Sequence, residues 1–388
     1  MRGLWLLSWR HLAHHRGRTA ILVLCIALAT FLPITAQVLI SDYEADLGRR
    51  AASTPLLAGA KGNRFDLTLG ALYFRQSDLD VVPYGQLVEI QGRGLGTAIP
   101  IHSRYTARSA PIVGTSPEYF ELRRLRPSMG TLPLRIGDAV VGHAVATRLG
   151  LGVGDRIASD PIDLYDLAKP PTLRMEVVGV LPRNGSADDD VIFVDLKTCW
   201  VVAGLAHGHE DVSDVDSELV LAETVDVVNV SPALRSAQQV DESELSSFHA
   251  HGDTNSLPLS AIIVSPNDQK SATLLKARVN ATKEFQMVVP TTVIDDLMRF
   301  VFRIKVFFDG FALILGLTTA LLIALQVWLS MRLRQREMIT MQRIGCSPGA
   351  VARLHVIEIL WILGLGGLLA AFLVLVAIAS VPNLLRVL

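Results

Sequence analysis

The sequence predicts a membrane protein: α-helical transmembrane spans, three of them legible, with a large extracytoplasmic mixed α/β domain. Three observations lead there. The 388 residues are 50% hydrophobic and only 19% charged, with a mean hydropathy of +0.39, whereas an ordinary soluble protein has about 25% charged residues. The apolar excess is concentrated in three charge-free blocks. Between the first and second blocks lies a long segment punctuated by Gly, Pro and Asn in the manner of short strands and turns.

The blocks are residues 19–41, between Arg18 and Asp42; 310–331, between Asp309 and Arg332; and 359–385, between Glu358 and Arg386. About 20 apolar residues at 1.5 Å each cross a ~30 Å hydrocarbon core, and all three blocks are long enough. The first block also reads as a signal peptide with a weak cleavage site at Thr35-Ala36. It is longer than the usual apolar region, however, and its leader is long and amphipathic. Three such blocks are too many for buried helices of a soluble protein. Spans are expected at 19–41, 305–331 and 355–385.

Basic residues beside the spans set the orientation. Arg2, Arg10, Arg16 and Arg18 precede the first block with no acid among them. Arg332, Arg334, Arg336, Arg343 and Arg353 stand between the second and third, against the single acid Glu337. The N-terminus and the 332–354 loop are therefore expected in the cytoplasm and residues 42–304 outside. Three spans would leave the C-terminus outside too.

Residues 1–18 read as an amphipathic helix lying along the inner membrane surface, Leu4, Trp5 and Leu7 alternating with Arg10 and His11. In the outer segment, Ala110–Val113, Met175–Val180 and Val191–Val194 are bounded runs with strand character, and Val145–Leu149 is more helical. Residues 205–256 are acidic and Ser-rich and read as a loop-rich insertion. In the 332–354 loop, Arg332 to Ile344 contains no Gly or Pro, and Leu333, Met341 and Ile344 share a helical face. Gly345 fits a C-terminal stop, and Ser347-Pro348 fits an N-cap followed by proline at the first helical position. The plain alternative is a solvated connector. Exposed Met338 and Met341 favour a docking surface, since methionine adapts to partners.

Chemistry-bearing motifs are sparse. The net charge of −1 and the lack of a basic stripe give no case for nucleic acid. Gly59-Ala60-Lys61-Gly62-Asn63 lacks the spacing of a phosphate loop. Cys25, Cys199 and Cys346 are unpatterned, and no Gly-x-Ser-x-Gly element is present, so no enzyme is expected. The metal-like signal is a pair of histidine doublets, His207/His209 and His249/His251, near Glu210, Asp211 and Asp253. Residues two apart on an extended chain point the same way, and two such pairs could complete a zinc shell. The blander reading, which composition favours, is a set of solvated loop residues. Glu358 sits about one turn inside the third span, facing either protein or the interface. Gly364, Gly366 and Gly367 thin that helix enough for close packing.

The order of these pieces resembles the MacB/FtsX-type permeases of ABC transporters, a group that includes LolC and LolE. The resemblance covers nearly the whole chain. Trp9-Arg10-His11-Leu12 through Arg18-Thr19-Ala20-Ile21-Leu22 is similar to the family's entry into its first span. Ile112-Val113-Gly114-Thr115-Ser116-Pro117-Glu118-Tyr119-Phe120 resembles its V-G-V-s-p-x-Y-F element. Val140-Val141-Gly142, Ala146-Thr147-Arg148-Leu149, Gly152-Val153-Gly154-Asp155 and Val177-Val178-Gly179-Val180-Leu181-Pro182 continue the pattern. Arg336-Glu337-Met338-Ile339 with Arg343-Ile344-Gly345-Cys346-Ser347 resembles its R-x-E-I…R-A-[IL]-G-A-[ST] loop, and Glu358 with Gly364–Gly367 its third span. Gly59 through Leu67 resembles one subgroup. The family has a fourth span, whereas this chain stops at Leu388.

The resemblance implies a permease that pairs with a second copy as a homodimer and binds a cytoplasmic ABC ATPase subunit. ATP and Mg would belong to that partner, with no cofactor in this chain unless the histidines hold zinc. It implies ATPase coupling through Arg336, Glu337, Met338, Met341, Arg343, Ile344 and Gly345. Motion would pass to the periplasmic domain, acting on a lipid, lipoprotein, peptide or other cargo, with a periplasmic adaptor or substrate-binding protein as a further partner. The alternatives are an FtsX-like regulator of a periplasmic hydrolase or sensor, and a metal-linked export system.

Overall fold

The computed structural model describes residues 2–75, 79–161, 173–207, 220–224, 227–230, 249–250, 253–333 and 348–385. The chain divides into two compact units, one of Met1–Ala45 with Met298–Leu388 and one of Asp46–Leu297.

The first unit is helical. Helix α1 (Arg2–His14) is followed by α2 (Arg16–Ala52), a helix of 37 residues with Pro33 inside it. The charged residues Asp42, Glu44 and Asp46 do not stop α2, because charge bars a residue from hydrocarbon but not from a helix. It ends ahead of Ser53-Thr54-Pro55, where proline disfavours helical geometry in the residue before it. The hydroxyls of Ser53 and Thr54 donate to the Arg50 carbonyl and finish the last turn. The helix carrying the second block likewise starts well before it, at Pro290, and runs to Leu333. The helix carrying the third block runs from Pro348 to Leu385, with proline at the first helical position as the sequence predicts. Three helical stretches, Arg16–Ala52, Pro290–Leu325 and Val356–Ser380, are long and apolar enough to cross a membrane.

The second unit is built on a mixed sheet. In chain order it comprises β1 (Leu56–Ala60), α3 (Arg64–Tyr73), β2 (Val82–Pro83), α4 (Tyr84–Gly92), β3 (Gly96–Ala107), β4 (Ala110–Thr115) and α5 (Pro117–Arg123). Then come β5 (Met129–Gly130), β6 (Asp138–Val141), α6 (His143–Leu149), β7 (Arg156–Ala158), β8 (Arg174–Val180), β9 (Ile192–Asp195) and α7 (Leu196–Val202). The acidic stretch supplies β10 (Ala206–His207), β11 (Val220–Thr224), β12 (Val227–Val230) and β13 (His249–Ala250). The chain continues through β14 (Pro258–Leu259), β15 (Ala261–Pro266), α8 (Gln269–Ala281) and β16 (Phe285–Val288) into α9 (Pro290–Leu333); after residues outside the described set comes α10 (Pro348–Leu385).

Ten strands form the main sheet in the order β16-β1-β15-β3-β4-β9-β6-β8-β5, with β7 also on β8. The pairs β4/β9 and β6/β8 are parallel and the others antiparallel. Both faces are covered, which explains why the central strands read as near-continuous apolar runs rather than alternating ones. Leu56, Ala58, Ile112 and Val194 pack on one side; Leu57, Ile99, Val113 and Phe193 pack on the other. The strand runs read in the sequence lie in β4, β8 and β9, and the helical Val145–Leu149 lies in α6. Asn63 caps α3, its side chain accepting from the Phe65 N–H, so the Gly59–Asn63 segment is the end of β1 and the start of a helix.

Candidate functional site

The last turn of α2 belongs to the sheet unit, and Arg50 in that turn is 7% exposed. Its Nε donates to the Leu72 carbonyl at 2.7 Å, and its Nη2 donates to Asp188 Oδ1 at 2.8 Å and to the Tyr119 hydroxyl at 3.0 Å. Nη1 donates to the other carboxylate oxygen, making the pair bidentate. Tyr119 in turn donates to Asp188 Oδ1 at 2.6 Å, and Ser186 Oγ donates to Oδ2 at 3.0 Å. The carboxylate is therefore fully engaged. Burial alone would raise its pKa, but the hydrogen bonds and charge of Arg50 overcome this and hold Asp188 below the usual carboxylate range. Burial pushes the Tyr119 phenol up, keeping it a neutral donor.

Local geometry serves this cluster. A short 3₁₀ turn, Ala187–Asp190, presents Asp188. Phe74 ends α3 in the left-handed region at φ 54°, rare for a bulky residue, and lies 5.5 Å under the Arg50 guanidinium. Arg123 donates to the hydroxyls of Ser53 and Thr54 just beyond α2 and sits 5.7 Å over the Tyr119 ring. The arrangement has no nucleophile and no free base. What it can do is hold the end of α2 firmly in the core of the sheet unit. Sequence reasoning missed Arg50 and Asp188. The available signal was Tyr119, inside the Ile112–Phe120 element.

A second cluster lies in the helical unit. Glu358 is 6% exposed, and its Oε1 stands 2.9 Å from His11 Nδ1. The Ser8 hydroxyl donates to the Leu354 carbonyl at 3.3 Å. Trp5 and Trp9 pack on Trp361, with ring centroids 5.5 and 5.1 Å away. These contacts seat α1 on one face of α10, since residues 354, 358 and 361 recur at helical spacing. Further along α10, a Cβ added at Gly366 would lie 2.6 Å from Ile26 Cγ2, so the bare glycine lets α2 approach. A Cβ at Gly364 or Gly367 would meet nothing within 4 Å. Between α2 and α9 is an apolar cavity of about 560 Å³, lined by Leu32, Pro33, Phe307 and Phe311 with Lys305 and Asp309 among its walls.

Arg336, Glu337, Met338, Met341, Arg343, Ile344 and Gly345 lie outside the described residues, as do His209 and His251. His207 and His249 are brought together as direct partners across the β10/β13 ladder. Among the described residues no group of three or more His, Cys, Asp or Glu could hold a metal ion.

A chain with a two-faced outer sheet unit and long apolar helices is a membrane protein with a large extracytoplasmic domain. The family model for the MacB-like periplasmic core domain matches residues 19–282, and the chain belongs to the MacB/FtsX-like permease family. Membership makes it a transporter-type membrane protein with a periplasmic domain. Among solved structures the chain is similar to the periplasmic region of MacB from Actinobacillus actinomycetemcomitans, at 10% identity and a TM-score of 0.38, covering 64% of this chain and 94% of that one. It is also similar to the extracellular domain of the noncanonical ABC-type transporter YknZ from Gram-positive bacteria, at 11% identity and a TM-score of 0.33, covering 61% and 99%. No curated protein matches the chain in sequence.

Proposed function

We propose that the chain is the permease subunit of an ABC transporter in a bacterial inner membrane, with its N-terminus and 332–354 loop in the cytoplasm and three spans within the present sequence. A separate ATPase subunit docks on the loop and hydrolyses ATP. The permease acts as a homodimer and relays the resulting motion to its periplasmic domains. The observation that carries this reading is the Arg50–Asp188–Tyr119 cluster. One unbroken helix, α2, contains an expected span and ends in a buried bidentate ion pair, so a shift of that helix is passed to the sheet instead of being lost in a loose linker. The apolar cavity between α2 and α9 favours a lipid-like or amphiphilic cargo over a polar one.

Docking is tested by changing Met341 and Ile344 together to Asp in the full chain. The ATPase should no longer co-purify, while membrane insertion persists. Survival of the complex would overturn the docking assignment. The relay is tested with a fluorophore pair on the periplasmic domains of a reconstituted dimer with its ATPase. ATP should change the transfer efficiency in the native chain, and no change would reject the relay.

A further inference from the structure

We infer that Ser103, Ser260, Arg75 and Arg104 form a binding site for an oxyanion, the carboxylate or phosphate group at the end of a larger ligand. The four line one cleft of the sheet unit, beside α3, with Asp66 as the only acid of the lining. A β-bulge builds it. Ile99 and Ile101 of β3 pack on the α3 side of the sheet, with Leu67 and Ala71, and Ser103 continues that alternation. A regular strand would send Arg104 to the opposite face. In the β3/β4 ladder, however, His102 is opposite Gly114 and Tyr105 is opposite Ile112, so three steps on β3 face two on β4. The extra residue re-aims a side chain, and Arg104 lines the same cleft as its neighbour Ser103.

The cleft is rich in hydrogen-bond donors. Ser103 is 5% exposed. Its N–H donates to Ser260 Oγ at 3.1 Å, and its own hydroxyl has no hydrogen-bond partner among the described residues. A buried hydroxyl left without an acceptor is costly, so an acceptor belongs in the cleft. Arg75 and Arg104 are exposed at its mouth. Arg104 donates to the Leu79 carbonyl, which fixes its reach, and Arg75 has no ion-pair partner among the described residues. Asp66 is already engaged, its Oδ2 accepting from the Asn63 amide at 2.7 Å. Two guanidiniums against one carboxylate leave the cleft positive. Guanidinium groups donate only, and they match the paired oxygens of a carboxylate or phosphate. The cavity is about 20 Å³, room for an oxygen atom or two and not for a whole molecule. The ligand therefore inserts a terminal oxyanion and leaves the rest outside. This site is independent of the transport reading.

The experiment uses the full chain in a maltoside detergent at pH 7.5 and constant ionic strength. It is titrated by calorimetry with sodium phosphate and, separately, with sodium acetate. One anion per chain should bind with a Kd below about 1 mM, and the tighter of the two identifies the group that the site takes. The Arg75→Gln/Arg104→Gln variant should bind it at least about tenfold more weakly. Arg148→Gln/Arg278→Gln, which removes the same charge on α6 and α8, should match the native chain. Equal affinity in the Arg75/Arg104 variant, or native binding of both anions no tighter than about 1 mM, would overturn the site. A readout that needs no variant is modification of the native chain by phenylglyoxal, which attacks guanidinium groups. The bound anion should slow modification of Arg75 and Arg104 but not of Arg148, and equal modification with and without the anion would also overturn it.

Discussion

Arg50 and Asp188, 138 positions apart in the chain, meet through a buried bidentate ion pair whose Nη2–Oδ1 distance is 2.8 Å. Tyr119 bonds to both members. A buried pair of this kind adds little over a well-packed apolar replacement, but removing one member leaves an uncompensated charge in the core. The pair therefore specifies where α2 ends more than it stabilises the fold.

Arg50→Ala or Asp188→Ala should each destabilise the sheet unit by about 3–5 kcal/mol. For a unit of this size that lowers the midpoint of thermal unfolding by about 10 °C. The double change Arg50→Met/Asp188→Leu should cost less than either single one. Single variants that melt within a degree or two of the native chain would show that the cluster is not under the constraint described.

The outer unit should fold without the membrane. Residues 45–300 include the whole of Asp46–Leu297 and both faces of the sheet core, enough for independent stability. Expressed alone, this fragment should show a cooperative thermal transition by circular dichroism. A non-cooperative or aggregated product in several mild buffers would argue that the spans or the second copy complete its core.

The same fragment should lose stability in mild acid through His102. This side chain is fully buried in β3, beside Tyr105 at 5.6 Å, and neither ring nitrogen has a hydrogen-bond partner among the described residues. Burial, with help from the charge of Arg104, lowers its pKa to about 4. Between pH 6.5 and about 4 the unfolded chain binds a proton that the folded one refuses. Stability therefore rises with pH across that window and is fully present above it. The loss on going from pH 7 to 4 is about 3 kcal/mol from this group. Asp188, whose pKa is depressed, adds its own loss only lower, below about pH 4. Comparing unfolding midpoints from pH 7 to 4 checks this. His102→Phe should flatten the profile, and an equally steep profile in that variant would assign the acid sensitivity elsewhere.

The three glycines of α10 should not be equivalent. Gly366→Leu drives a side chain into Ile26 of α2, where even a Cβ lies 2.6 Å from Cγ2, and should lower the thermal stability of the purified full chain. Gly364→Ala and Gly367→Ala, where the added Cβ meets nothing within 4 Å, should be tolerated within the chain, and Gly366→Ala should already cost stability. Equal loss at all three positions would indicate packing against a second copy instead.

Local chemistry was enough to read much of this molecule. Charge-free runs mark the apolar helices, since hydrocarbon rejects charge whatever the tertiary context. Pro348 marks a helix start because its ring suits the first turn, and β4, β8 and β9 were legible as β-branched runs between turn residues. Helix ends were not legible: α2 passes Asp42, Glu44 and Asp46 to Ala52, and α9 begins at Pro290, before the second block. Charge places a residue relative to lipid but does not end a helix. The Arg50–Asp188–Tyr119 cluster joins three separate segments, and nothing in the spacing of those residues reveals that they meet. Only the packing of α2, α5 and the 187–190 turn against one sheet decided it. The histidine doublets were visible as a pattern, but that His207 stands opposite His249 is a matter of strand register, a property of two chain segments at once that neither carries alone.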